Sequence, residues 1–132
     1  MILVDTSVII QFLRGDDNDK VELFKSLIID NQPFGISVYT YSEVLQGARD
    51  EMEYQTLDRY LGSQVIYRHD TSIETYKDAA TLYYRLRKQG VSLRGLVDVL
   101  IALTAIQNNL TLLHNDRDFE YMKRVESSLR TL

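Results

Sequence analysis

The sequence has no cysteine and no tryptophan, and in 132 residues only one proline, six glycines and two histidines. Each shortage closes off a class of protein. Without cysteine there is no disulfide framework, no thiolate metal site and no cysteine nucleophile. So few prolines and glycines, with no composition shift or repeat, leave no material for a linker, and residues 1–132 are expected to form one domain. Long apolar runs are also missing. The longest nearly apolar stretch, Val99 to Ile106, is far short of the roughly 20 residues that span a bilayer. Met1-Ile2-Leu3-Val4-Asp5 lacks the basic flank and long apolar stretch of a secretion signal. A cytoplasmic protein without membrane association is expected. No GxxxxGK[ST] loop is present, which excludes a P-loop nucleotide hydrolase. A basic excess is missing too: 19 acidic residues against 15 basic ones give a net charge of -4, unlike a nucleic-acid coat protein with its basic stripe. An enzyme acting on RNA stays open, because carboxylates that hold a divalent cation are close to neutral when loaded.

What is present is a core-forming pattern, with 45% of the residues apolar. Met1 to Val4 is continuously apolar and reads as a buried parallel strand. Asp5-Thr6-Ser7 supplies helix-starting side chains for a short helix that runs to Gly15. Val21, Leu23, Phe24, Leu27 and Ile28 recur at helical spacing. Phe34 to Val38 reads as a second strand, followed by a helix opened by Thr40 and another from Glu51 to Leu61. A short strand over residues 64–67 precedes the longest helix, residues 71–89, whose buried stripe is Ala79, Ala80, Leu82, Tyr83 and Leu86. Val97 to Asn108 is apolar almost all round, as a helix buried by its neighbours would be. Leu110 to Leu113 forms another buried strand, a last helix starts at Phe119, and an edge strand closes the chain. Strands alternating with helices predict an α/β fold, a three-layer α/β/α sandwich around a mainly parallel sheet.

Four carboxylates stand out by position. Asp5 follows the first strand, Asp116 follows the strand ending at Leu113, Asp98 heads the apolar helix, and Glu43 lies early in the helix after the second strand. In an open parallel sheet, ligands gather outside the carboxyl ends of the strands, so one rim can collect all four. Each acid taken singly also suits a helix cap. Thr40-Tyr41-Ser42-Glu43 matches a capping box, and Asp5, Asp98, Asp116 and Asp118 each suit a helix start, where the dipole favours negative charge. Capping requires no particular set of strands, however. Acids converging from separate segments repel one another, and a hard divalent cation with oxygen ligands is the usual resolution.

Asp5-Thr6-Ser7, Ser37-Val38-Tyr39-Thr40 with Glu43-Val44-Leu45 and Gly47, Asp98-Val99-Leu100-Ile101-Ala102-Leu103 and Asn115-Asp116-Arg117-Asp118-Phe119 occur in this order. Together they resemble the PIN-domain family, and within it the VapC-type toxins of bacterial and archaeal toxin–antitoxin pairs. The resemblance covers nearly the whole chain. It implies an endoribonuclease in which Asp5, Glu43, Asp98 and Asp116 hold Mg²⁺ or Mn²⁺, with Asp118 as an outer acid and Ser7 orienting Asp5. It also implies a homodimer and a cognate antitoxin that covers the acidic pocket. One departure is His114, which stands where many family members carry threonine or serine.

Hydrolysis by a metal-activated water would leave 5′-phosphate and 3′-hydroxyl ends. Other chemistry is poorly supplied, because His69 and His114 are not paired with a serine motif, and His69 reads as a surface or loop residue. Arg85, Arg87 and Lys88 at the end of the long helix, and Arg94 before Asp98, are candidate phosphate contacts. A solvated helix end explains the first three equally well. Tyr83 and Tyr84 read as core or interface residues. Three alternatives stand beside the toxin reading: an RNA-processing or DNA-directed nuclease with the same site, a non-catalytic binding module whose acids cap helices, and a phosphoaspartate protein. The last lacks the extra acid beside Asp5.

Overall fold

Leu3 and Val4 mark the centre of the architecture: adjacent residues of one strand point to opposite faces of a sheet, and both are fully buried. The computed structural model describes residues 1–132. Five strands form one sheet: β1 (Ile2–Val4), β2 (Gly35–Ser37), β3 (Val65–Tyr67), β4 (Thr111–Leu113) and β5 (Arg130–Thr131). Their order is β3-β2-β1-β4-β5, and every neighbouring pair is parallel. Seven helices cover it: α1 (Thr6–Arg14), α2 (Asp19–Ile29), α3 (Val38–Gln46), α4 (Glu51–Gly62), α5 (Ile73–Lys88), α6 (Leu96–Gln107) and α7 (Arg117–Val125). Val4, Ile36 and Leu113 pack with residues of α1 to α4 on one face. Leu3 and Leu112 pack with residues of α5, α6 and α7 on the other. The three-layer α/β/α expectation holds.

Several local expectations are corrected. The strand predicted to reach Val38 stops at Ser37, and α3 begins at Val38 rather than being opened by Thr40. Ser37 Oγ accepts the Thr40 N–H at 3.0 Å, so strand passes to helix without a loop. The last helix starts at Arg117, two residues early, because Asp116 caps it. Ala80 is exposed, whereas Ala79, Leu82 and Leu86 are buried and Tyr83 is half-buried. Tyr84 is 48% exposed, with Arg87 and Lys88 lying over its ring. His69, expected at the surface, is buried: Tyr39 Oη lies 2.5 Å from its Nε2 and the Asp70 carbonyl 2.6 Å from its Nδ1. Two hydrogen bonds and a stacked Tyr39 ring satisfy this imidazole inside the fold.

No helix is long and apolar enough to cross a membrane.

Candidate functional site

Parallel strands place Asp5, Ser37 and His114 at the same end of the sheet, directly after β1, at the end of β2 and directly after β4. The acids expected to converge do so here, and Asp118, expected as an outer acid, lies within the group itself. Carboxylate oxygens of Asp98, Asp116 and Asp118 lie within 4.8 Å of one another. Asp5 and Glu43 complete the cluster electrostatically. Burial first, then the charges of Asp5, Asp116, Glu43 and Asp118, push the Asp98 carboxyl up to about 6. Burial is also the main cause that raises Asp5, against the lowering effect of its bonds to Ser7, with the Glu43 charge adding to the rise.

The capping alternative separates the acids. Asp5 caps α1 through Oδ2, which accepts the Ser7 N–H at 3.0 Å and the Ser7 hydroxyl at 2.7 Å. Its Oδ1 is buried without a protein partner. Asp116 caps α7 with Oδ1, which accepts the Asp118 N–H at 3.0 Å, and turns Oδ2 toward Arg94 at 2.8 Å. Asp98 is the third residue of α6, whose cap position is Gly95 with no side-chain bond. Glu43 is not part of a capping box, because the cap is Ser37 and Glu43 lies six residues beyond it. Its Oε1 instead accepts the Thr6 hydroxyl at 2.8 Å. Capping therefore occupies one oxygen each of Asp5 and Asp116 and leaves the clustering of the others without a structural reason.

A buried carboxylate oxygen without a donor costs stability unless a cation meets it. Asp5 Oδ1 and Asp118 Oδ2 are the two buried side-chain atoms without a hydrogen-bond partner, both belong to this cluster, and Asp118 Oδ2 is faced only by Arg94 Nε at 3.9 Å. Carboxylate oxygens from separate segments are the donor set that suits Mg²⁺ or Mn²⁺ rather than a soft metal. The residues fit a hard divalent cation.

Supporting contacts position these groups. Ser7 Oγ accepts the Asn115 N–H at 3.0 Å, which ties Asp5 to the turn that carries Asp116. His114 is buried, and burial lowers its pKa. Its Nδ1 accepts the Asp116 N–H at 3.2 Å, while Nε2 faces Glu120 at 3.0 Å. This neutral Nε2–H tautomer holds the Asp116 backbone, a task that threonine or serine would perform with a hydroxyl. Thr6 and Thr40 were not singled out in the sequence as site residues. Thr6 Oγ1 lies 3.0 Å from Thr40 Oγ1, which lies 3.2 Å from Ser37 Oγ. Each hydroxyl carries one proton, so with the Thr6 proton on Glu43, Thr40 donates to Thr6 and Ser37 to Thr40. The Asp-Thr-Ser run contained the signal, since Thr6 immediately follows the first acid.

Among the basic candidates, only Arg94 reaches the acids. Arg87 and Lys88 lie over Tyr84, and Arg85 lines a small groove with Leu103, Ile106 and Glu126.

The raised Asp98 pKa sets a pH dependence. Its folded value of about 6 exceeds the ordinary 3.8, so between these values the folded state binds more protons than the unfolded one, and stability falls as pH rises. Solvent screens a half-buried group, which leaves a loss on the order of 1 kcal/mol. Urea unfolding of metal-free protein at pH 4.5 and 7 measures it. Saturating Mg²⁺ or Mn²⁺ is expected to reverse the slope, because the cation requires the ionised form.

Comparison with known proteins supplies the remaining evidence. The PIN domain family model matches residues 2–125. The ribonuclease VapC11 of Mycobacterium tuberculosis is 29% identical over 126 residues, covering 95% of this chain and 93% of the relative. Two solved structures share the fold, each at 24% identity with a TM-score of 0.68. They are VapBC2 of Rickettsia felis bound to a promoter DNA fragment, covering 100% of this chain and 98% of that one, and VapBC-1 of nontypeable Haemophilus influenzae, covering 100% and 97%.

Proposed function

The chain belongs to the PIN-domain family, and from that premise we propose that it is a metal-dependent endoribonuclease, the toxin of a toxin–antitoxin pair. The observation that carries this reading is the cluster of five carboxylates on one rim of the sheet, with Asp5 Oδ1 and Asp118 Oδ2 lacking hydrogen-bond donors and Asp98 raised by burial and then by the other four acids. Relatives named ribonucleases support RNA as the substrate.

Asp98, Asp116 and Asp118 are the primary holders of Mg²⁺ or Mn²⁺, with Asp5 Oδ1 and Glu43 completing the set. When bound, the cation supplies an activated nucleophile and neutralises charge on the phosphate. The protein's own groups do the rest. Ser7 fixes Asp5, the Thr6–Thr40–Ser37 hydroxyl chain fixes Glu43, and His114 fixes the Asp116 turn. Such fixed geometry lowers the reorganisation required at the moment of reaction. Thr6→Val removes the Glu43 donor while conserving volume. It is expected to lower the single-turnover cleavage rate about tenfold with the circular dichroism spectrum unchanged.

Two surfaces suit partners. A groove of about 1050 Å³ runs between α1 and α4, lined by Ile10, Leu13, Val44, Met52 and Leu57. None of the five acids lines it. It suits an amphipathic helix of the antitoxin, whose chain would continue to the acids. On α5, exposed Ile73, Tyr76 and Tyr84 share one helical face with Ala80. Glu74 lies near the start of that helix and Arg87 and Lys88 at its end, so antiparallel pairing with a second copy matches the charges.

The test is cleavage of mixed cellular RNA by purified, partner-free protein with Mg²⁺ or Mn²⁺ against EDTA, beside Asp5→Asn and Asp116→Asn. Metal-dependent cutting that leaves 5′-phosphate ends and is lost in both variants is the expected result. Cutting that survives both substitutions would place the site elsewhere, and no cutting by folded protein would favour a binding module.

A further inference from the structure

Arg94 contacts the very oxygen that Asp116 has available for a metal. Asp116 Oδ1 accepts the Asp118 N–H at 3.0 Å, so Oδ2, which has no backbone donor, is the atom more open to a cation. Arg94 Nη2 lies 2.8 Å from that oxygen, and its Nε lies 3.9 Å from Asp118 Oδ2. The two carboxylates are largely buried, at 16% and 11% side-chain exposure, whereas Arg94 is 79% exposed. The loop beneath it is anchored, because Leu93 is buried and its carbonyl accepts the Tyr83 hydroxyl at 3.2 Å. A fixed base thus carries a guanidinium that rests on two acids from the solvent side.

We propose that Arg94 is an exchangeable counter-ion of the site: it neutralises Asp116 and Asp118 in the metal-free protein, yields Asp116 Oδ2 to the incoming cation, and then takes a phosphate oxygen of the RNA. This rests on the metal-dependent nuclease reading and adds a mechanism of loading to it. A cation at Asp116 Oδ2 and the Arg94 guanidinium 2.8 Å from that oxygen repel one another at close range, so metal coordination there drives the ion pair open. An exposed arginine contributes little to such a pair, and the exchange is correspondingly easy. Displaced, the guanidinium stays beside the loaded site on its anchored loop. Its planar fork of donors matches phosphate as well as carboxylate. The same side chain therefore opposes metal binding and favours substrate binding.

These opposite effects distinguish exchange from structural support, whose loss would weaken both. The experiment is a Mn²⁺ titration without RNA, read from the electron paramagnetic resonance signal of free Mn²⁺, on wild type, Arg94→Gln and Arg117→Gln. Arg117 is an exposed neighbour of Asp116 that makes no ion pair, so its variant controls for charge alone. Arg94→Gln is expected to bind Mn²⁺ roughly threefold to tenfold more tightly, and Arg117→Gln to change it less than about twofold. At saturating Mn²⁺, Arg94→Gln is expected to raise KM for RNA about tenfold. Unchanged or weaker Mn²⁺ binding in Arg94→Gln, or equal tightening in Arg117→Gln, overturns the exchange while leaving the nuclease reading intact. Absence of Mn²⁺ binding in the wild type overturns both.

Discussion

Asp98→Asn is expected to lower RNA cleavage at least about a hundredfold and, in the same protein, to raise the stability of the metal-free state. The two effects have one cause. Burial first, and then the charges of Asp5, Asp116, Glu43 and Asp118, push the Asp98 carboxyl up to about 6. At neutral pH the metal-free fold must hold this carboxylate ionised against its neighbours. Asparagine keeps the shape and removes the charge, which relieves on the order of 1 kcal/mol after solvent screening and raises Tm by roughly 3 °C for a chain of this size. Catalysis moves the other way, because a neutral amide is a poor ligand for a hard cation. Differential scanning calorimetry in EDTA, paired with cleavage in Mn²⁺, measures both. A variant that is less stable without metal would mean that the Asp98 carboxylate supports the fold, and undiminished cleavage would remove it from the site.

The second large effect lies in the core beneath the site. Phe119 is fully buried, and its ring lies 5.0 Å from that of His114 at 52°. His114 in turn accepts the Asp116 N–H. Phe119→Ala is expected to cost about 3–5 kcal/mol, a large share of the roughly 5–15 kcal/mol by which a domain is stable. Because the cavity opens under His114, Mn²⁺ affinity is expected to fall about tenfold where the variant is still folded, a loosening worth about 1.4 kcal/mol. Phe24→Ala is the matched control. Phe24 is equally buried and edge-to-face with Phe12 and Phe34, on the opposite face of the sheet. It should lose comparable stability in urea with Mn²⁺ affinity unchanged. Equal losses of affinity in both variants would show that the site responds to stability in general rather than to the His114 contact.

How much of this was readable in the sequence depends on how local each contact is. The strands at Ile2–Val4 and Thr111–Leu113 are marked by short apolar runs, so the positions of Asp5 and Asp116 at their ends follow directly. Asp98 was marked by the unbroken apolar helix that follows it. The position of Glu43 after the second strand points to the site, but its capping-box pattern does not describe it, because the cap is Ser37, where strand and helix join without a turn. Its true partner, Thr6, is 37 residues away, and no local pattern reports such a pair. Asp118 was expected as an outer acid and belongs instead to the tightest group. That follows from Asp116 capping α7, which starts the helix two residues early and places Asp118 in its first turn. The burial of His69 is equally non-local: Tyr39, which stacks on it and bonds it, is 30 residues distant. The place of Arg94 before Asp98 suggests a phosphate contact, but its hold on Asp116 spans 22 residues and leaves no local pattern.

On the proposed reading, these carboxylates are gathered to hold a cation. The decisive measurement is a Mn²⁺ titration of partner-free protein under electron paramagnetic resonance, with Asp98→Asn alongside. Saturable binding is expected in the wild type, weakening at least about tenfold in the variant, whose fold is no less stable. Weak, unsaturable binding that is the same in both proteins would contradict it and return the acids to the role of helix caps.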